Sequence, residues 1–74
     1  MTDNEILQKF SQRVKDLRIK KGLTQQELAE LAEMEYKYVQ KIEGKNPPSI
    51  GLLKLAKLVK ALGVSFSQFF NFIK

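Results

Sequence analysis

The sequence predicts an all-α fold, a compact domain of five short helices. Its apolar residues recur three or four positions apart and do not alternate, which is the spacing of amphipathic helices. Four glycines and a Pro-Pro pair separate these periodic segments. A chain of 74 residues is expected to form one domain. A domain of this size buries only about 60% of the surface of its unfolded chain, so a dimer would add needed stability.

The first two helices have the clearest predicted boundaries. Helix 1 is expected from residue 4 or 5 to residue 20, and Gly22 supplies the left-handed residue that ends many helices. Its core stripe is Phe10, Val14 and Leu17. Helix 2 is expected over about 24–32, because Thr24 and Glu27 form a Thr-x-x-Glu capping box. Leu23 and Leu28 flank this box as a hydrophobic staple.

Three further helices follow. Helix 3 is predicted over about 36–43, and helix 4 from residue 50 or 52 to residue 62, with Ser49 as its cap. Helix 5 starts after Ser65, where Ser65 and Gln68 form a second capping box. Leu53 and Leu58 of helix 4 fit either the core or an interface.

The composition argues against an enzyme and against a membrane or secreted protein. The chain has no His and no Cys, so common general bases, metal ligands and disulfides are missing. It carries no Gly-rich phosphate loop, no apolar run of membrane length and no signal-peptide pattern. We therefore expect no catalytic residue, metal, cofactor or small-molecule ligand. The net charge of +5 suits a polyanionic partner.

The outer face of helix 3 carries groups that suit a DNA major groove. At about 100° per residue, Gln40, Lys37 and Lys41 lie within roughly 140° of Tyr36, and Val39 and Ile42 lie opposite. Gln can bond the adenine edge and Lys the guanine edge. The alternative is an ordinary amphipathic helix with solvated lysines. Thr24, Gln25 and Gln26 start helix 2, where free N–H groups favour a phosphate; the alternative for Gln25 is an exposed residue.

In this order the residues resemble the lambda-repressor-like (Cro/Xre) helix-turn-helix family. The matching segments are 13–18 (RVKDLR), 22–29 (GLTQQELA), Met34, Val39, Ile42, Glu43 and 61–65 (ALGVS). The resemblance implies a regulator that binds double-stranded DNA as a homodimer, at a roughly palindromic operator. It implies base contacts by Tyr36, Lys37, Gln40 and Lys41, and backbone contacts by Thr24, Gln25, Gln26, Tyr38, Lys45 and Asn46.

The resemblance also assigns structural roles. The position of Ala29 faces the next helix, Gln25 can brace the recognition helix, and Arg18 and Glu43 form an ion pair. Dimerisation is expected through helices 4 and 5. The residues predicted at the interface are Phe66, Phe69, Phe72 and Ile73, although Phe66 and Phe70 also have the spacing to complete the core.

Two residues and one loop depart from the family pattern. Glu33 stands where the family usually has Gly, so a left-handed conformation there costs roughly 1–2 kcal/mol. Glu35 is a poor cap for helix 3 and is expected to be either a solvated acid or an acceptor from cytosine. The loop over 44–49 differs in length, which leaves the register of Lys45, Asn46 and Ser49 on the DNA backbone open.

The sequence thus favours a sequence-specific DNA-binding regulator of repressor or controller type. We expect it in the cytoplasm, associated with the nucleoid. The alternatives are a protein-interaction module on the same fold, to which the Phe-rich C-terminal segment would belong, and the antitoxin of a toxin–antitoxin pair.

Overall fold

A computed structural model describes residues 1–73, and its helices follow one another in the predicted order. They are α1 (Asp3–Lys20), α2 (Gln25–Leu31), α3 (Tyr36–Ile42), α4 (Leu52–Ala61) and α5 (Phe66–Phe69). No strand occurs in this part of the chain, so the prediction of an all-α, five-helix fold is confirmed. Within the same residues, no helix combines the length and the apolar character needed to cross a lipid bilayer.

Capping side chains set the starts of α2 and α5. The Thr24 hydroxyl accepts from the backbone N–H of Glu27 at 3.0 Å, and the Glu27 carboxylate accepts from that of Thr24 at 2.8 Å. Ser65 and Gln68 make the same pair of bonds, so both predicted capping boxes are confirmed. Leu23 packs against the core that contains Leu28, as the predicted staple requires.

The predicted cap of α4 is wrong. Ser49 lies two residues upstream of the true N-cap, Gly51, whose backbone is extended. The chain has no regular secondary structure over 47–51, and within this segment Ile50 packs against the core. The start of α4 therefore lacks the side-chain hydrogen bonds that cap α2 and α5.

One hydrophobic cluster joins all five helices. It contains the predicted α1 stripe together with residues of the other helices and the positions that follow them: Phe10, Val14, Leu17, Leu28, Ala29, Ala32, Val39, Ile42, Leu58, Val59, Leu62 and Phe69. Burial of this cluster fixes how α2 and α3 lie against α1 and α4, and thereby which face of α3 points outward.

The C-terminal aromatic residues correct a second prediction. Phe69, expected at a dimer interface, is 0% exposed, and its ring meets that of Phe10 edge-on at 5.8 Å. Phe66, whose spacing also fitted the core, is 44% exposed. Because α5 has a single turn, the i, i+4 spacing of a longer helix does not set its buried face. Arg13 fixes this turn by donating to the carbonyls of Gln68 and Phe69.

Candidate nucleic-acid interface

A tight turn connects α2 to α3 and aims the second helix outward. Glu33 adopts the predicted left-handed conformation, with φ of 55°. The N–H of Met34 then donates to the carbonyl of Ala29 at 2.9 Å, and α3 begins two residues later. Ala29 is buried on α2, the helix that packs directly against α3. Glu35 precedes α3 with an extended backbone and makes no capping bond within residues 1–73, as its weak capping tendency predicts.

The two faces of α3 differ as the sequence predicts. Val39 and Ile42 are fully buried in the core. The residues predicted to read bases all lie on the exposed side: Tyr36, Lys37, Gln40 and Lys41. This side presents two ammonium groups, an amide and a phenol, which are groups that can donate to base edges in a major groove.

The start of α2 lies next to this face. Thr24 and Gln26 are exposed and Gln25 is half-buried. These three residues line one groove together with Arg18 of α1 and Tyr36 of α3. The structure thus brings the predicted backbone-contacting residues of α2 beside the first residue of α3.

The predicted ion pair between α1 and the end of α3 is confirmed. Arg18 donates through Nε and Nη2 to the two carboxylate oxygens of Glu43, at 2.7 and 2.9 Å. Its Nη1 donates to the carbonyl of Leu23 at 2.7 Å. The side chains are only 12% and 2% exposed, respectively. Bonding to Glu43 raises the pKa of Arg18, although burial opposes this shift, so the guanidinium stays charged.

Gln25 contacts the recognition helix at a residue that the sequence did not predict. Its Nε2 donates to Glu43 Oε1 at 3.2 Å, so the brace reaches the C-terminal cap of the recognition helix through the ion pair. The sequence pattern gave Gln25 and Glu43 separate roles. Their contact depends on the packing of three helices, which local spacing does not encode.

The remaining predicted backbone contacts lie at two edges of α3. Lys45 and Asn46 are exposed in the loop after the helix, where the carbonyl of Lys45 accepts from Gln8 Nε2 at 3.0 Å. Tyr38 is half-buried, and Lys54 of α4 lies over its ring. Sequence reasoning missed Lys54, because its position beside Tyr38 follows from how α4 packs and no local motif marks it.

An α2 that buries one face, a left-handed turn and a two-faced α3 define a helix-turn-helix protein. The helix-turn-helix family model matches residues 14–69, which is most of the chain. The chain therefore belongs to the Cro/Xre-like helix-turn-helix family.

Solved structures of restriction–modification controller proteins are similar over nearly the whole fold. The wild-type controller C.Esp1396I is 30% identical with a TM-score of 0.82, covering 97% of this chain and 90% of that chain. The controller C.AhdI from Aeromonas hydrophila is 35% identical with a TM-score of 0.81, covering 89% and 98%. A C.Esp1396I tetramer in complex with its natural 35-base-pair operator is 30% identical with a TM-score of 0.81, covering 97% and 91%. Among curated protein sequences, none gave a significant match.

Proposed function

We propose that this protein is a sequence-specific DNA-binding transcriptional regulator that binds a roughly palindromic operator as a homodimer. The observation that carries the proposal is the exposed face of α3, which offers donors to a major groove while Val39 and Ile42 hold the helix on the core. The similar controller C.Esp1396I has been solved on 25- and 35-base-pair operator sites, which supports a controller-type role for this chain.

The proposal divides the site residues by what they contact. Base edges are contacted by Tyr36, Lys37, Gln40 and Lys41, and the backbone by Thr24, Gln25, Gln26, Tyr38, Lys45 and Asn46. The base-contacting residues carry sequence preference, and the backbone-contacting residues fix the register of the protein on the duplex. The exposure of Lys45 and Asn46 beside the end of α3 supports their assignment to phosphates.

The proposed dimer surface lies on α4, α5 and the residues after them. Four large apolar side chains remain exposed in the single chain, namely Leu52, Leu53, Phe66 and Ile73. Phe72, the residue before Ile73, is half-buried. A contiguous exposed apolar patch marks an interface, and we propose that these residues form one. A second copy on this surface would set two recognition helices about 34 Å apart, one helical turn of DNA.

The proposed activity is binding, and the helix-turn-helix family and the controller relatives are regulators and not enzymes. We treat the chain as one helix-turn-helix domain, which its single hydrophobic cluster supports. The proposed place of action is the cytoplasm, on the nucleoid.

Selection of bound duplexes from a random pool tests the function directly. We expect enrichment of a sequence with two-fold symmetry. If a dimer neutralises six to eight phosphates, log K should fall with log salt at a slope of about −5 to −7. Equal affinity for selected and random DNA would contradict sequence-specific binding. If this chain bound a partner protein and had no affinity for DNA, the interaction-module alternative would be favoured.

A further inference from the structure

Glu43 holds two partners from different helices. Its Oε1 accepts from Arg18 Nη2 at 2.9 Å and from Gln25 Nε2 at 3.2 Å, and its Oε2 accepts from Arg18 Nε. The carboxylate is nearly inaccessible to solvent. Gln25 is therefore attached to a group that two further hydrogen bonds already hold in place.

The chemistry of Glu43 fixes which end of the Gln25 amide points toward it. An ionised carboxylate only accepts hydrogen bonds, so the amide must turn its NH2 group inward. That group carries two N–H bonds, and Glu43 takes one of them. Within residues 1–73 the second N–H has no protein partner, and Gln25 lines an open groove together with Thr24 and Gln26. The reversed amide would place its acceptor oxygen toward Glu43, which a carboxylate repels.

We propose that Arg18 and Glu43 are positioning residues for DNA binding, which hold Gln25 with an N–H donor ready for a phosphate oxygen. This inference rests on the proposed function, since the target of the donor is the DNA backbone. The Glu43 side chain is only 2% exposed, so its influence on affinity should pass through Gln25. A purely structural ion pair would change stability and leave the Gln25 amide unaffected.

The free protein tests the network without DNA. In the wild type, the side-chain NH2 protons of Gln25 should give two NMR signals that respond to the adjacent carboxylate. Glu43→Gln should shift both signals, because a neutral amide also accommodates the reversed orientation. The exposed side chain of Gln26 is the matched control, and its signals should stay in place. Unchanged Gln25 signals in the Glu43→Gln protein would overturn the proposed network.

Affinity for the selected operator tests the consequence, at a temperature where circular dichroism shows every variant folded. Gln25→Ala and Glu43→Gln should each weaken binding by roughly five- to tenfold, the equivalent of one hydrogen bond. The double variant should bind no more weakly than either single variant, because both remove one contact. Additive losses would overturn the positioning role.

Two further proteins keep this test decisive. Phe10→Leu weakens the core at a buried residue of α1 that lies more than two helical turns from Arg18, and should leave affinity within about twofold at that temperature; a loss equal to that of Glu43→Gln would show that stability alone matters. If Glu43→Gln does not fold, Arg18→Lys replaces it, because a lysine cannot make the paired bonds to Glu43. If the wild-type protein showed no preference among DNA sequences, the proposed function would be wrong and Gln25 would have no proposed target. The amide signals would still report the hydrogen-bond network, so the two failures can be told apart.

Discussion

The ammonium nitrogen of Lys54 lies 4.3 Å from the centroid of the Tyr38 ring. This cation–π contact joins the first turn of α4 to the recognition helix, at the edge of a groove that Glu35 also lines. Because Lys54 is exposed, the contact contributes only about 0.5–1 kcal/mol. It nevertheless places a positive charge beside the proposed DNA face.

Replacing Lys54 with methionine should lower the free energy of unfolding by about 0.5–1 kcal/mol. Methionine keeps much of the aliphatic stem and removes the charge, so packing against Tyr38 is largely retained. Urea denaturation monitored by circular dichroism measures the change. The same substitution in a Tyr38→Leu background should have almost no effect, and an equal loss in both backgrounds would rule out the contact with the ring.

Replacing Glu33 with glycine should relieve strain in the turn between α2 and α3. An L-residue at φ of 55° costs roughly 1–2 kcal/mol, which glycine avoids. The exposed pair between Glu33 and Lys57, at 3.4 Å, offsets little of this cost.

Alanine at the same position is the matched control for that substitution. Glu33→Ala also removes the pair with Lys57 but keeps the strain. Thermal unfolding should therefore show Glu33→Gly to be more stable than Glu33→Ala by about 1 kcal/mol. Equal stabilities would mean that the left-handed backbone carries no cost here.

The sequence predicted the elements of this fold better than the contacts between them. Local chemistry sufficed for the capping boxes at Thr24 and Ser65, and a period of 3.6 sufficed for the two faces of α3. The buried face of α5 could not be predicted in this way, because contacts with Phe10 and Arg13 of α1 select Phe69.

The network around Glu43 shows the same limit at the candidate site. The partner of Arg18 came from a family resemblance and not from any spacing in the chain. The third member of the network, Gln25, is 18 residues from Glu43 and meets it only because α2 packs beside the end of α3. Long-range pairs of this kind depend on helix packing, which residue periodicity does not specify.

Gln40→Ala should weaken binding to the selected operator by about 1–3 kcal/mol and relax its preference at one or two base pairs. The reason is that the exposed Gln40 amide can make two bonds to an adenine edge. Competition assays with operators substituted at single positions measure both effects.

Lys45→Ala is the comparison for that experiment, because an exposed lysine in the loop after α3 is expected to contact phosphate only. It should weaken cognate and random DNA alike, and reduce the salt slope by about 1 for each subunit. If the two variants changed cognate and random binding in the same proportion, the division into base and backbone contacts would be wrong.

Phe66→Ser should weaken the homodimer and leave the fold intact. Its ring stacks on that of Phe70 at 6.4 Å and belongs to the proposed interface, and because 44% of it is exposed in the single chain, losing it removes about 1 kcal/mol of apolar burial from association. Sedimentation equilibrium should show a higher dissociation constant for the dimer. Phe69→Ala should instead lower the free energy of unfolding by about 3–5 kcal/mol, because that ring fills the core. Ile19→Ser makes a similar polar change at an exposed residue of α1 and should sediment like the wild type; a matching loss of dimer there would place the interface elsewhere.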